Sequence, residues 1–322
     1  MSFYISRFKG IESQNFDIEI ITPLFLGGAD PKKAELRVPS IKGALRFWWR
    51  ALYGSENLAD MKSQEAEIFG SIAKKASFSL HIKDTQNANS VLADLPQGIK
   101  VPTTSKGRTF KISIIEYLAY GLCEYNKQFK RNIYVKEHIP AGSRFKIVLR
   151  FYDNFKKDEI LNSFKVLINF GGLGSRSRNG FGSISSKKSS IGYKNEGTMK
   201  SYTAFSEMTK LFEKFTPKDK WEDALSEIGK VYRKARNNLE NKHVFEKRSL
   251  IAKPLIVKGE VNINDRHSKP YFLHVNKLHD GKHQGQILYM PYNYYKQGKR
   301  EEYFQACEQV NQKILELSGD SR

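Results

Sequence analysis

Residues 171 to 183, GGLGSRSRNGFGS, place glycine at 171, 172, 174, 180 and 182, a density at which neither a helix nor a regular strand persists. The chain must make a tight connection there. Before it, DEILNSFKVLINF (158 to 170) repeats Ile160, Leu161, Phe164, Leu167 and Ile168 at helical spacing, and Gly171 supplies the stop. A closing strand follows. This helix-to-strand order excludes a P-loop and a dinucleotide fingerprint, which both run from strand to helix, and there is no GKS or GKT. Glycines let backbone N–H groups approach a phosphate, and Arg176, Ser177, Arg178 and Asn179 add charge and hydrogen bonds. A purely structural turn is the alternative reading.

The N-terminal part supplies the other half of a candidate site. Phe16, Ile18 and Ile20 alternate with Asp17 and Glu19, the period of a half-buried strand, and Pro23 ends it. The loop GGADPKKAELRVP carries Lys32, Lys33 and Arg37. A helix is expected from Ser40, as N-cap, to Gly54, with Ile41, Leu45, Trp48 and Leu52 facing the core. Lys42, Arg46 and Arg50 form a basic stripe beside them, and the helix N-terminus adds unpaired N–H groups for phosphates. Trp49 and Tyr53 are placed to stack a base. A solvated basic face with buried aromatics is the plainer alternative.

Strands at 77–83 and 144–152 enclose a long segment with an apolar helix candidate at 113–125. The order is that of a ferredoxin-like βαββαβ unit, RRM-like in its pattern. The expected division is a first domain over 1–190, a linker over 191–201 and a second α+β domain over 202–322. The second has a helix at 219–240, strands at 254–258, 271–275 and 286–290, and a last helix built on Tyr303, Cys307, Val310, Ile314 and Leu317. His274, His279 and His283 flank the turn Asp280-Gly281, where they read as surface histidines or RNA contacts more readily than as metal ligands. Cys123 and Cys307 are too few for a zinc quartet and read as reduced, partly buried thiols. No metal or cofactor is expected.

The 322 residues carry 54 Lys+Arg against 34 Asp+Glu, a net charge of +20, which calls for a polyanionic partner. The N-terminus lacks a signal-peptide core and no 18-residue apolar run occurs, so a cytoplasmic protein with no membrane contact is expected. No acid–base pair or paired carboxylates stand at diagnostic spacing; Asp30 is the one acid near the basic stripe.

Taken together, TPLFLGGADPKKAELRVPSIKGALRFWWRAL (22 to 52) and FGGLGSRSRNGFGS (170 to 183) resemble the RAMP superfamily of CRISPR proteins, most closely the family of first RAMP subunits of the Cmr, or type III-B, effector complex. Residues 248 to 276 resemble that family more loosely. The resemblance implies two tandem ferredoxin-like domains in an α+β chain. It also implies a non-catalytic subunit of an antiviral ribonucleoprotein that binds guide RNA or target RNA near the 3′ end of the guide, among other Cmr-complex RAMP subunits. Carried onto this sequence, Arg37, Lys42, Arg46 and Arg50 line the RNA surface, and Gly172, Gly174, Arg176, Arg178 and Asn179 form the loop facing the same cleft. With Lys32, Ser40, Trp49 and Ser177 from the residue reading, these make one composite candidate site. The competing readings are a metal-independent RAMP endoribonuclease that processes guide precursors, with His81 as its histidine, and a structural cap that contacts only proteins.

Overall fold

The computed structural model describes residues 10–105, 108–187, 197–241, 244–252 and 267–319. Strand β1 (Glu12–Ile20) buries Phe16, Ile18 and Ile20 and leaves Asn15 and Asp17 exposed, as its alternation demands. Helices α1 (Val38–Tyr53) and α2 (Leu58–Phe69) follow, then β2 (Phe78–Gln86). An insertion comes next: β3 (Lys100–Ser105), β4 (Arg108–Ser113), α3 (Ile114–Leu118), β5 (Cys123–Asn126) and β6 (Arg131–Tyr134). Strand β7 (Arg144–Phe151), α4 (Lys157–Phe170) and β8 (Ile184–Ser185) complete the first unit. Its sheet runs β2-β7-β1-β8 with every pair antiparallel, which is the ferredoxin-like strand order.

The rest repeats that winding in shorter form. Strand β9 (Lys210–Phe212), α5 (Trp221–Asn237), α6 (Glu246–Ala252), β10 (Tyr271–Lys277), β11 (His283–Tyr289) and α7 (Arg300–Ser318) build an antiparallel sheet ordered β10-β11-β9, without a fourth strand among the described residues. The chain is thus α+β, with two antiparallel sheets.

Two buried clusters hold it together, and neither stops at the middle of the chain. Phe272, Leu288 and Met290 join the core under α1 and α4, while Ile21, Phe25, Ile114, Leu118 and Phe181 join the core around α5 and α7. Gly229 shows how close the halves come: a Cβ there would lie 2.7 Å from Ile114 Cγ2 and 2.8 Å from Leu118 Cδ1.

Several sequence expectations need correction. Helix α1 starts at Val38, with extended Arg37 at the N-cap and no side-chain cap bond, so Ser40 lies within the first turn. Pro39 explains the shift, since its fixed φ suits the first turn and its missing N–H would be unpaired there anyway. The helix expected over 113–125 spans only Ile114–Leu118; Ser113 caps it, Gly121 turns the chain at φ +85°, and the remainder enters the β5–β6 hairpin. The strand expected at 254–258 and residues 191–196 of the linker lie outside the described residues. No described helix is long and apolar enough to cross a membrane.

Candidate nucleic-acid interface

The TPLF segment and the glycine loop lie side by side. Thr22 Oγ1 donates to Gly180 O at 2.7 Å and accepts from Ser183 N–H at 2.9 Å. Gly182 N–H donates to Pro23 O at 3.0 Å and Ser175 N–H to Phe25 O at 2.8 Å. The spacing leaves no room for side chains: a Cβ on Gly174 would lie 2.4 Å from Phe25 O, and one on Gly182 2.0 Å from Leu173 O. Gly172 is buried as well, and a Cβ there would meet Phe181 O at 3.0 Å. These glycines therefore serve close backbone packing first.

Helix α1 meets the loop through its aromatic side. Trp48 packs on Gly171, where a Cβ would lie 2.6 Å from the indole Nε1. Arg178 holds its guanidinium 4.7 Å from the Phe272 ring centre and 5.4 Å from that of Phe47. Between them opens a cavity of about 240 Å³ lined by Ala44, Phe47, Trp48, Gly172, Ser177, Arg178 and Phe272. Beyond Ser175 lies a second cavity of about 190 Å³, bordered by Gly27, Gly28, Lys33 and Lys136.

The basic stripe points elsewhere. Steps of four residues advance only about 40° around a helix, so Lys42, Arg46 and Arg50 stay on one side, away from Ala44 and Phe47. Arg46 Nε and Arg50 Nε share the carboxylate of Glu65 on α2, at 3.4 and 3.1 Å. Arg46 also lies over the Phe69 ring and Lys42 over that of Phe78. Burial, aided by Arg46, lowers the Lys42 pKa. The stripe and the glycine loop are therefore separate surfaces, and the expectation of one composite face is corrected. Trp49 is corrected too: it is fully buried and donates its indole N–H to Glu159 Oε2 at 3.0 Å, so it cannot stack a base. Tyr53 is tied to Asn162 by a 2.8 Å bond to its hydroxyl, and burial raises its pKa.

The loop's polar side chains pin other parts of the chain. Arg178 Nη1 donates to Lys269 O at 2.6 Å, and Asn179 Nδ2 to Leu118 O at 2.8 Å. Arg176 takes a left-handed backbone conformation, φ +62°, and sends its guanidinium against Gly121. Two successive turns, Asn179 N–H to Arg176 O and Gly180 N–H to Ser177 O, leave the N–H groups of Ser177 and Arg178 outside the turns' own bonding. Lys32, Lys33 and Asp30 are exposed on the first loop, where the Asp30 carboxylate accepts from Lys32 N–H at 2.9 Å.

Phe47, Phe272 and Lys269 were not among the sequence candidates. Phe47 follows directly on Arg46 in the RFWW run, but nothing in the sequence tells which of those aromatics meets the loop. Of the histidine cluster, His274 is fully buried, bonded to Gly171 O at 2.6 Å and Asn276 Oδ1 at 3.1 Å, which corrects its reading as a surface residue; burial pulls its pKa down to about 4. Among the described residues no group of three or more His, Cys, Asp or Glu is placed to hold a metal. His81, on the sheet face away from α1, pairs with Ser79 Oγ at 3.0 Å.

The family model described as the RAMP superfamily matches residues 17–185, more than half of the chain, from within β1 to the end of β8. The chain belongs to the RAMP superfamily. The CRISPR system Cmr subunit Cmr1-2 of Pyrococcus furiosus is 31% identical over 182 residues, covering 52% of this chain and 92% of that protein. Subunit Cmr1-1 of the same organism is 29% identical over 175 residues, covering 53% of this chain and 46% of its own length. The fold resembles the crystal structure of apo Cmr1 from P. furiosus, with a TM-score of 0.53, 18% identity and coverage of 94% and 96% of the two chains. It also resembles a chain of the type III-B Cmr-beta complex bound to cognate target RNA and AMPPnP, with a TM-score of 0.52, 13% identity and coverage of 93% and 99%. At these identities the two structures speak to this RAMP chain's fold alone.

Proposed function

We propose that this chain is a non-catalytic RNA-binding subunit of a type III-B CRISPR (Cmr) RNA-guided silencing complex. It binds guide RNA, target RNA or both near the 3′ end of the guide, and sits among other RAMP subunits. Its working halves are residues 1–190 and 202–322. The observation that carries the reading is the open cleft in which Arg178 lies against Phe47 and Phe272 beside the glycine loop. The Arg178 guanidinium and the half-buried Phe47 ring suit stacked, unpaired bases, and Lys32 on the first loop with Lys33 and Lys136 at the second cavity suit the phosphates between them. The net charge of +20 supports a polyanionic ligand, and the Cmr1-2 relative supports the complex. Arg37, Ser40, Lys42, Arg46 and Arg50 form an outer approach, and the pairing with Glu65 weakens the share of the last two.

The test is binding of a fluorescent single-stranded RNA by the full chain across a salt series. Arg178→Ala is expected to weaken binding about tenfold, as loss of a stacked cationic contact implies. Arg46→Ala changes it by no more than about threefold, the worth of a surface charge already paired. No RNA binding at low salt would defeat the proposal, and defined cleavage of repeat RNA without added metal would defeat its non-catalytic part.

A further inference from the structure

We propose that a phosphate group binds at the face of α5 that carries Tyr232 and Arg236, under Lys269 behind the glycine loop, with the Tyr232 hydroxyl as a further donor. The inference rests on the RNA reading for its source of phosphate, an RNA backbone phosphodiester. It extends the site into the second half of the chain, to residues that neither sequence motif contains.

Tyr232 and Arg236 stand one turn apart on the same face of α5. Above that face, Lys269 Nζ lies 4.6 Å from the centre of the Tyr232 ring. It donates to Arg178 O and to Asn179 Oδ1, both at 2.7 Å, and so ties the face to the glycine loop that carries Arg176. Arg236 Nη2 donates to Ala252 O at 2.7 Å, while its buried Nε and the Tyr232 hydroxyl have no partner among the described residues. The next acid along the chain, Glu240, just beyond the end of α5, is taken by Arg248.

This arrangement is costly as it stands. Buried donors that find no acceptor among the described residues lose their hydration and regain nothing from them. The charges acting on Lys269 are cationic: after burial, Arg178, Arg236 and Arg176 push its pKa well below the ordinary lysine value. A phosphate answers both deficits, because its oxygens accept from several donors and its charge offsets the crowd of cations. A phosphodiester also brings its own neighbouring bases, which the Phe47–Phe272 cleft lies ready to receive on the far side of Arg178.

The experiment uses the full chain as wild type, Arg236→Gln and Tyr232→Phe, with two readouts. Inorganic phosphate is titrated against thermal unfolding, with chloride at matched ionic strength as control, and single-stranded RNA affinity is followed across a salt series. Phosphate is expected to raise the wild-type midpoint and to lose that effect in Arg236→Gln. The same variant is expected to weaken RNA binding several-fold and to lower the log-log salt slope by about 0.7, the value for one phosphate contact on a single strand. Tyr232→Phe keeps the ring and loses only the hydroxyl, so a smaller loss in both readouts supports the site even where Arg236→Gln fails to fold. RNA binding in the wild type with both readouts unchanged in the variants overturns the phosphate site and leaves the RNA reading standing. No RNA binding in the wild type overturns the RNA reading; phosphate stabilisation that still depends on Arg236 then assigns the site to free phosphate.

Discussion

Gly182 sets the tightest condition on the glycine loop. Its backbone is left-handed at φ +65° and its missing Cβ would lie 2.0 Å from Leu173 O, so both conformation and space exclude a side chain. Gly182→Ala is expected to destabilise the fold by on the order of 3 kcal/mol, combining the strain of a left-handed residue with a backbone collision. A thermal midpoint within a degree or two of wild type would show that the loop relaxes more readily than this packing allows. The need for glycine here was legible in the sequence, because five glycines around four polar residues can only be a close-approach loop. What approaches was not legible: the TPLF segment lies some 150 positions earlier, and the reading favoured a phosphate where the structure first places Phe25 O and Leu173 O. Trp49 carries the same lesson in reverse. Helical spacing placed it beside the basic stripe, but its burial depends on α2 and on Glu159, and no local pattern encodes those partners.

At the scale of elements, period-two alternation and helical spacing located β1, β2, β7, α1, α4, α5 and α7, because each buries one face against a single core. The insertion was misread because its pieces are short: α3 has five residues and β5 and β6 four each, so tertiary contacts decide where they lie. The stripe on α1 was correctly seen as one face, yet a period tells which residues share a face and not which neighbour it meets. Helix α6 buries Leu250 and Ile251 in the core and is anchored at its N-terminal end by an ion pair. Glu240 accepts from the backbone N–H groups of Lys247 and Arg248, each at 2.9 Å, and from Arg248 Nε at 3.2 Å, with both side chains about nine-tenths buried. Glu240→Ala removes an N-terminal anchor and strands a guanidinium in a poorly hydrated site. The expected loss is about 3 kcal/mol, with amide exchange accelerating over Glu246–Ala252 before the rest of the chain. Uniform acceleration across all helices would mean that α6 is no separate unit.

On the scale of the whole molecule, the two apolar clusters interlock across the chain, so its halves should unfold together, and acid gives a way to see it. His267 and His274 belong to different parts of that joint. His274 bonds Gly171 at the end of α4, and His267 packs on Tyr292 at 4.2 Å between ring centres, with Arg178 nearby. Burial, reinforced at His267 by Arg178, pulls both pKa values down to about 4. The unfolded chain protonates histidine near 6.5, so the unfolded state binds more protons than the fold as pH drops below that value. Their contribution is therefore complete above about pH 6.5 and is lost progressively as pH falls toward 4. A shift of this size corresponds to roughly 3 kcal/mol for each histidine. The carboxylates Glu240 and Glu308, whose pKa values lie below the ordinary range, act only in more acid solution, so the two windows separate. The urea midpoint is expected to fall steadily between pH 6.5 and 4.5 in a single cooperative transition, and His267→Phe is expected to flatten that fall in part, because His274 and His138, whose pKa values burial also lowers, keep their share. A flat profile over this window would refute the burial of these imidazoles as neutral groups. Two separated transitions would refute the interlocked core, and with it the rigid joint on which the RNA cleft depends.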